Sequence, residues 1–126
     1  MSVINMVLVD DHTLFRTGLR FLLEQEEGFN VIGEATDGLS GIKLVEQLRP
    51  DVVLLDLDMP TMTGREALPQ LLSSQPDLAV LVLTVSEDAA DLTECMRLGA
   101  RGYLPKNIHP EFQLERIYTP QIAHSV

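Results

Sequence analysis

Acidic side chains follow two apolar segments of this 126-residue chain. Asp10 and Asp11 come directly after INMVLV, and Asp56 and Asp58 come at the end of VVLLDLD. Acidic residues are rarely buried unless another group pairs them. Two carboxylates about 4 Å apart repel each other by roughly 4 kcal/mol at an effective dielectric constant near 20. If the fold brings these carboxylates together, the cluster needs a cation, and oxygen ligands of this kind suit Mg²⁺.

Apolar segments of strand length alternate with segments of helical period along the chain. We predict strands over residues 4–10, 30–35, 52–56, 78–84 and 102–105. We predict helices over residues 13–27, 40–48, 65–74 and 87–99, and a fifth helix from about residue 110. This alternation requires right-handed crossovers and a parallel sheet covered on both faces. The sequence therefore predicts one doubly wound α/β domain.

The helical segments also predict which residues face the core, and two prolines refine the prediction. The residues expected to face inward are Phe15, Leu19, Leu22, Leu23, Ile42, Val45, Leu48, Leu68, Leu71 and Leu72. Pro69 lies inside the third helical pattern, where proline costs about 3 kcal/mol. We therefore expect that helix to begin late, near Leu68, or to kink. Pro105 lies in the fifth strand, which indicates an edge strand.

The carboxyl ends of parallel strands share one edge of the sheet, and ligands bind there. Thr84 ends the fourth strand and Lys106 follows the fifth, so both are expected beside Asp10, Asp11 and Asp56. With a cation beside it, one carboxylate can attack phosphorus and form an acyl phosphate. Phosphoryl transfer depends mainly on positioning and charge neutralisation, which the ammonium and hydroxyl groups also supply. The pattern predicts phosphoryl chemistry.

Each of these residues also has an ordinary structural interpretation. Asp10 and Asp11 could cap the helix that follows them. Asp58 and Lys106 could be solvated charges, and Tyr103 could be a core residue. The three histidines show no metal-ligand spacing. The functional interpretation therefore depends on the whole set converging, because no member is specific alone.

Composition limits the partners. Nine basic and nineteen acidic residues give a net charge of −10, which argues against direct binding of nucleic acid. One cysteine excludes an internal disulfide and favours a reducing compartment. The chain shows neither a signal sequence nor an apolar stretch of membrane-spanning length. We expect a cytoplasmic protein that does not bind membranes.

Four motifs, in order and at predicted strand ends, carry a family resemblance. They are VDDH (9–12), LLDLDMPTMTG (54–64), VLTVS (82–86) and LGARGYLPK (98–106). Over about residues 3–118 the chain resembles the receiver domain of bacterial two-component response regulators. DDHTLFRTGL, after the first strand, is similar to the nitrate-response or LuxR-type branch. The resemblance implies a flavodoxin-like fold with strand order 2-1-3-4-5, and it suggests a receiver domain over 1–118 followed by a tail over 119–126.

The resemblance implies a metal-binding role for four residues. Asp56 matches the phosphoacceptor and also contacts the ion. Asp10 and Asp11 match the acidic pair that holds Mg²⁺, with Asp11 a direct ligand and Asp10 acting partly through water. Asp58 matches the position that offers its backbone carbonyl to the metal, while its side chain points toward the entrance of the site.

The resemblance also implies how phosphorylation is sensed. Thr84 and Lys106 match the groups that contact the phosphoryl oxygens. Tyr103 matches an aromatic switch that turns inward when the threonine moves. Ser86 matches a position that tunes hydrolysis of the acyl phosphate.

The function implied is a signalling receiver that accepts a phosphoryl group from a sensor histidine kinase and switches a protein surface, normally to control transcription. Such a protein is not an enzyme beyond its own phosphotransfer and autodephosphorylation. One alternative is an aspartate-nucleophile phosphohydrolase, because Asp58 could serve as acid and base two residues after Asp56. A flavin-binding carrier is disfavoured, since no Ser/Thr/Gly-rich phosphate loop follows the first strand.

The output of the implied receiver has to leave through a protein surface. Receivers of this branch usually precede a helix-turn-helix domain, but no such domain is expected in this chain, which should not bind DNA directly. We expect self-association through the fourth helix, fifth strand and fifth helix, where Ile117 and Tyr118 would be uncovered.

Overall fold

The computed structural model describes residues 3–85 and 88–106, and strands alternate with helices throughout. The strands are β1 (Ile4–Val9), β2 (Phe29–Ala35), β3 (Val52–Asp56), β4 (Ala79–Thr84) and β5 (Gly102–Pro105). The helices are α1 (Thr13–Glu24), α2 (Gly38–Leu48), α3 (Gly64–Ser74) and α4 (Ala89–Arg97). The predicted fifth helix, the division at residue 118, Ser86, Ile117 and Tyr118 lie outside the described residues.

The five strands form one parallel sheet in the order β2-β1-β3-β4-β5, as expected. The strand order reverses between β1 and β3, so the carboxyl ends of these two neighbours flank the crevice at which such sheets bind ligands. β5 is an edge strand, which agrees with Pro105 at its end.

Side chains alternate between two cores, one on each face of the sheet. Along β1, Val7 and Val9 pack on the face covered by α2, α3 and α4, whereas Met6 and Leu8 pack on the face covered by α1. All four are fully buried. Burying a side chain of this size stabilises the fold by about 1.5–3 kcal/mol. The two cores therefore fix the register of the sheet, because a slip of one residue would exchange the faces.

Helix and strand ends differ from the prediction in several places. α1 ends at Glu24 rather than residue 27, because Phe29 is buried and pairs with Ile4 at the start of β2. Leu48, the last residue of α2, is 39% exposed and does not face the core as expected, whereas Val45 in the same turn is buried. α4 begins at Ala89, after Asp88, whose side chain accepts a hydrogen bond from the Ala90 N–H.

The expected late start of the third helix is wrong. α3 begins at Gly64, because the Thr63 side chain accepts a bond from the Glu66 N–H and the Glu66 side chain accepts one from the Thr63 N–H. Pro69 consequently lies in the helix interior. The capping box and the buried face of α3, which includes Leu68, offset the hydrogen bond that proline cannot make.

Candidate functional site

The predicted polar residues meet at the carboxyl edge of the sheet. Asp56 and Thr84 are the last residues of β3 and β4, and Asp10 and Lys106 directly follow β1 and β5. Lys106 Nζ lies 2.9 Å from Asp10 Oδ2 and 3.6 Å from Asp56 Oδ2. The topology thus brings together residues separated by up to 96 positions in the sequence.

Asp56 is fully buried, and only one of its carboxylate oxygens is bonded. Oδ1 accepts a hydrogen bond from the Asp58 N–H at 3.1 Å, whereas Oδ2 has no hydrogen-bond partner among the described residues. Burial, with the neighbouring Asp10 and Asp11 carboxyl groups, raises the pKa of Asp56 to about 7, although the Asp58 N–H and Lys106 act against the rise. Without a cation, the charge of this carboxylate is therefore compensated only in part, by Lys106.

Three hydrogen-bond donors hold Asp10 in place. Its Oδ1 accepts bonds from the His12 N–H at 2.8 Å and from Lys106 Nζ at 3.2 Å. Its backbone carbonyl accepts a bond from Arg16 Nη1 at 2.5 Å, and Arg16 Nε also donates to Glu34 Oε1 at 2.7 Å. A basic residue of α1 thus anchors the strand end that carries the acidic pair.

Lys106 is held inside the site rather than in solvent. Its side chain is 6% exposed, and Nζ lies 4.7 Å from the centre of the Phe15 ring. Nζ also lies 2.6 Å from His12 Nδ1. The Lys106 N–H donates to the Thr84 carbonyl at 2.8 Å, which fixes the start of the side chain beside β4. The interpretation of Lys106 as a solvated charge does not fit this burial.

Gly64 lets the loop after β3 pass close to Asp56. A Cβ at this position would lie 2.5 Å from the Asp56 carbonyl oxygen and 2.8 Å from Leu57 Cα. The Gly64 N–H donates to the Leu57 carbonyl at 3.0 Å. Because both contacts involve backbone, the neighbours have little freedom to move away from a side chain.

The donor set fits a divalent cation. One atom from each of Asp10, Asp11, His12 and Asp56 can be chosen so that all lie within 4.8 Å of one another. Asp11 Oδ1 and Asp56 Oδ2 are buried atoms without a hydrogen-bond partner among the described residues. Oxygen atoms of this kind are ligands for hard cations, and a bound ion would satisfy both.

The chain matches a family model over most of its length. Residues 6–118 match the family model described as the response regulator receiver domain. The chain belongs to this family. It also shows similarity to the nitrate-response branch that the sequence motifs indicated. Among the helices of residues 3–85 and 88–106, none is both long enough and apolar enough to span a membrane.

Two curated relatives illustrate the branch. The chain is 41% identical to the response regulator GacA of Pseudomonas aeruginosa, in an alignment that covers 98% of this chain and 62% of GacA. It is 39% identical to the nitrate/nitrite response regulator protein NarL of Escherichia coli, covering 90% of this chain and 52% of NarL. The chain thus spans between half and two thirds of the length of these relatives.

Solved structures share the fold. The signal receiver domain of the response regulator NarL from Mycobacterium tuberculosis has a TM-score of 0.86 at 31% identity, covering 93% of this chain and 94% of that one. A chain of the CheX–CheY–BeF3–Mg²⁺ complex from Borrelia burgdorferi has a TM-score of 0.84 at 25% identity, covering 90% of this chain and 86% of that one.

The resemblance also gives roles to Thr84, Asp58 and Tyr103, and these three residues differ in their burial and in their contacts with the site. Thr84 is 1% exposed and ends β4, and its carbonyl accepts a bond from the Lys106 N–H. Asp58 has an exposed side chain and reaches Asp56 through its N–H, and the metal-binding role of its carbonyl stays a prediction. Tyr103 is 41% exposed, so it is not a core residue here. Its role as a switch also stays a prediction.

His12 is a site residue that sequence reasoning did not predict. The three histidines have no metal-ligand spacing in the sequence, but His12 belongs to the possible metal-binding group with Asp10, Asp11 and Asp56. His12 precedes α1, at its N-cap position, and makes no side-chain capping bond. Its position beside Asp10 and Asp11 in the VDDH motif was the available signal.

Proposed function

We propose that this receiver accepts a phosphoryl group on Asp56 from a sensor histidine kinase, in the presence of Mg²⁺. The observation that carries the proposal is the buried Asp56 Oδ2, which has no hydrogen-bond partner among the described residues and lies 3.6 Å from Lys106 Nζ. No hydrogen-bond donor among the described residues occupies the lone pairs of this oxygen, so they are open to a cation and to phosphorus.

The proposed transfer forms a bond between an Asp56 carboxylate oxygen and phosphorus. It breaks the phosphorus–nitrogen bond of a phosphohistidine on the kinase, whose ring nitrogen keeps the electron pair and takes up a proton. The Asp58 N–H orients the carboxylate through Oδ1. We assign Lys106, as a movable ammonium, to contact the incoming phosphoryl oxygens, and we assign Thr84 to the second contact.

We assign the ion to Asp10, Asp11, Asp56 and the backbone carbonyl of Asp58. When bound, Mg²⁺ would neutralise charge shared by the carboxylates and the phosphoryl oxygens. The unpartnered oxygens of Asp11 and Asp56 support this assignment. The CheX–CheY complex whose fold this chain shares contains Mg²⁺ and BeF3, a mimic of a phosphoryl group.

The proposed output is a change of protein surface that controls transcription in a longer signalling system. Exposed Val85, Met96 and Tyr103 place apolar area around β4, α4 and β5, where movement of Thr84 would be felt. We assign Tyr103 as the switch and this surface as the face of self-association. A two-state element biased by the phosphoryl group would carry the signal.

Mass spectrometry after incubation with a small phosphodonor tests the proposal. Wild-type protein should gain one phosphoryl adduct with Mg²⁺ and little with chelator, because charge neutralisation is lost. Asp56→Asn should gain none. Asp77→Asn, at an exposed position near the amino end of β4, is the matched control and should behave as wild type.

Two outcomes would contradict the assignment. An Asp56→Asn variant that gains the adduct at the wild-type rate would exclude Asp56 as acceptor. Sustained turnover of a small phosphomonoester, at many equivalents per protein, would instead favour the aspartate-nucleophile phosphohydrolase.

A further inference from the structure

The His12 side chain points into the acidic cluster. Its Nδ1 lies 3.3 Å from Asp10 Oδ1, 3.6 Å from Asp11 Oδ1 and 3.6 Å from Asp56 Oδ2. Ligands about 2.1 Å from one metal ion are separated from their neighbours by about 3.0–3.5 Å. The distances from His12 Nδ1 are close to this spacing, and one ligand atom from each of the four side chains lies within 4.8 Å of the others.

A second observation, a buried oxygen without a hydrogen-bond partner among the described residues, indicates that this cluster binds a ligand. The Asp56 side chain is 1% exposed, and its Oδ2 has no hydrogen-bond partner among the described residues. A buried oxygen without a partner costs roughly 1–3 kcal/mol, and more when it is charged. This oxygen is also one of the three that lie near His12 Nδ1.

The lone pair of His12 faces the same centre. Nδ1 lies 2.6 Å from Lys106 Nζ, and an ammonium group can only donate, so Nδ1 carries the lone pair that accepts this bond. The backbone on either side is fixed, because the His12 N–H donates to Asp10 Oδ1 and the His12 carbonyl accepts from the Arg16 N–H. Lys106 thus occupies a lone pair that a metal ion could use.

We propose that His12 is a nitrogen ligand to the divalent cation of this site, which gives the site a preference for borderline transition-metal ions that an all-oxygen site lacks. Imidazole suits ions such as Co²⁺ and Zn²⁺, whereas carboxylate, carbonyl and water suit Mg²⁺. The inference rests on the proposed cation site, but it concerns His12 and needs no phosphoryl transfer. An ion bound to His12 would displace Lys106 and free its ammonium.

Direct metal titration of the full chain tests the inference. Metal-stripped protein is titrated at pH 7.5 with Co²⁺ and separately with Mg²⁺, in wild type, His12→Asn and Asp11→Asn. His12→Asn should weaken Co²⁺ binding by about tenfold or more and change Mg²⁺ binding by less than about threefold. Asp11→Asn should weaken both, because it removes an oxygen ligand that either ion uses.

Pulsed electron paramagnetic resonance with Mn²⁺ adds a readout that identifies the ligand. Wild type should show coupling to a histidine nitrogen, and the coupling should vanish in His12→Asn while circular dichroism shows an intact fold. Equal losses of Co²⁺ and Mg²⁺ binding in His12→Asn, or no nitrogen coupling in wild type, would overturn the inference. Because no phosphodonor is present, failure of Asp56 as phosphoacceptor would leave these results unaffected.

Discussion

The two ends of β3 each carry an aspartate, and the two carboxylates are used in opposite ways. Asp51, just before the strand, accepts a bond from the Asn5 N–H at 2.8 Å, and its own N–H donates to the Asn5 carbonyl at 2.8 Å. Asp56, at the other end, keeps one buried oxygen without a hydrogen-bond partner among the described residues. One strand thus has a satisfied acid at its amino end and an unsatisfied acid at its carboxyl end.

The difference separates structure from function along a single element. The two hydrogen bonds between Asp51 and Asn5 join the starts of β1 and β3, so the Asp51 carboxylate contributes to the stability of the sheet. The Asp56 carboxylate is held among Asp10, Asp11 and His12, where it costs stability unless a cation is present. We infer that the fold tolerates this cost at the edge where the strand order reverses, because that edge binds ligands.

The largest change in the free energy of unfolding is expected at Gly64, where the loop after β3 passes close to the backbone of Asp56. Gly64→Ala should destabilise the protein by about 3 kcal/mol, because the new Cβ would lie 2.5 Å from the Asp56 carbonyl oxygen. Gly18→Ala is the matched control, since a Cβ there meets no atom of the described residues within 4 Å. It should stabilise α1 by about 0.5–1 kcal/mol.

Urea denaturation measures both glycine variants. The opposite signs are the expected result, since one glycine serves a close approach and the other only adds flexibility to an exposed helix position. If Gly64→Ala proved neutral, the loop after β3 would be able to shift, and its hold on Asp56 would be weaker than the structure indicates.

Much of this edge could be predicted from the sequence because strand ends are marked by composition. The predicted bounds of β3 match those observed, and Asp10, Asp56 and Lys106 meet as the parallel topology requires. The start of α3 could also be predicted from the sequence, since Thr63 and Glu66 form a T-x-x-E capping signature. Pro69 pointed to a later start, because proline in a helix interior is unfavourable, but the capping box outweighs it.

Other features needed the fold itself. The contact of Lys106 with the Phe15 ring joins β5 to the first turn of α1, and no local pattern specifies such a pair. No local pattern specifies the 2.6 Å contact of Lys106 with His12 either, because the two residues are 94 positions apart in the sequence. The position of His12 in the site therefore could not be predicted from the spacing of the histidines.

A smaller effect should follow from removing the charge of Asp56. Burial raises its pKa to about 7 in the metal-free protein, above the value of about 3.9 expected in the unfolded chain. The folded protein then binds the proton more tightly, so this group lowers stability progressively as pH rises from about 4 to 7. The rise in pKa from about 3.9 to about 7 limits this effect to about 4 kcal/mol. With chelator present, Asp56→Asn should stabilise the protein by on the order of 2 kcal/mol at pH 8 and by much less near pH 4, because the amide nitrogen that replaces Oδ2 faces another donor, Lys106 Nζ, 3.6 Å away.

Denaturant titrations across this pH range, with and without Mg²⁺, measure the Asp56 effect. Asparagine keeps the oxygen that accepts the Asp58 N–H, so the variant removes charge with little change of shape. Mg²⁺ should reduce the advantage of the variant, because the ion stabilises only the protein that binds it. A pH-independent difference would show that the carboxylate is already compensated without metal.

The smallest effect is expected at the amino end of β3. Asp51→Ala should cost about 1 kcal/mol, because it leaves the partly buried Asn5 N–H without its carboxylate acceptor. Mg²⁺ should not change this cost, since Asp51 and Asp56 are five residues apart along an extended strand, about 16 Å. Unfolding in urea at saturating Mg²⁺ and in chelator measures the difference. If Asp51→Ala also reduced the stabilisation by Mg²⁺, the two ends of β3 would be energetically coupled, and the division between a structural end and a ligand-binding end would fail.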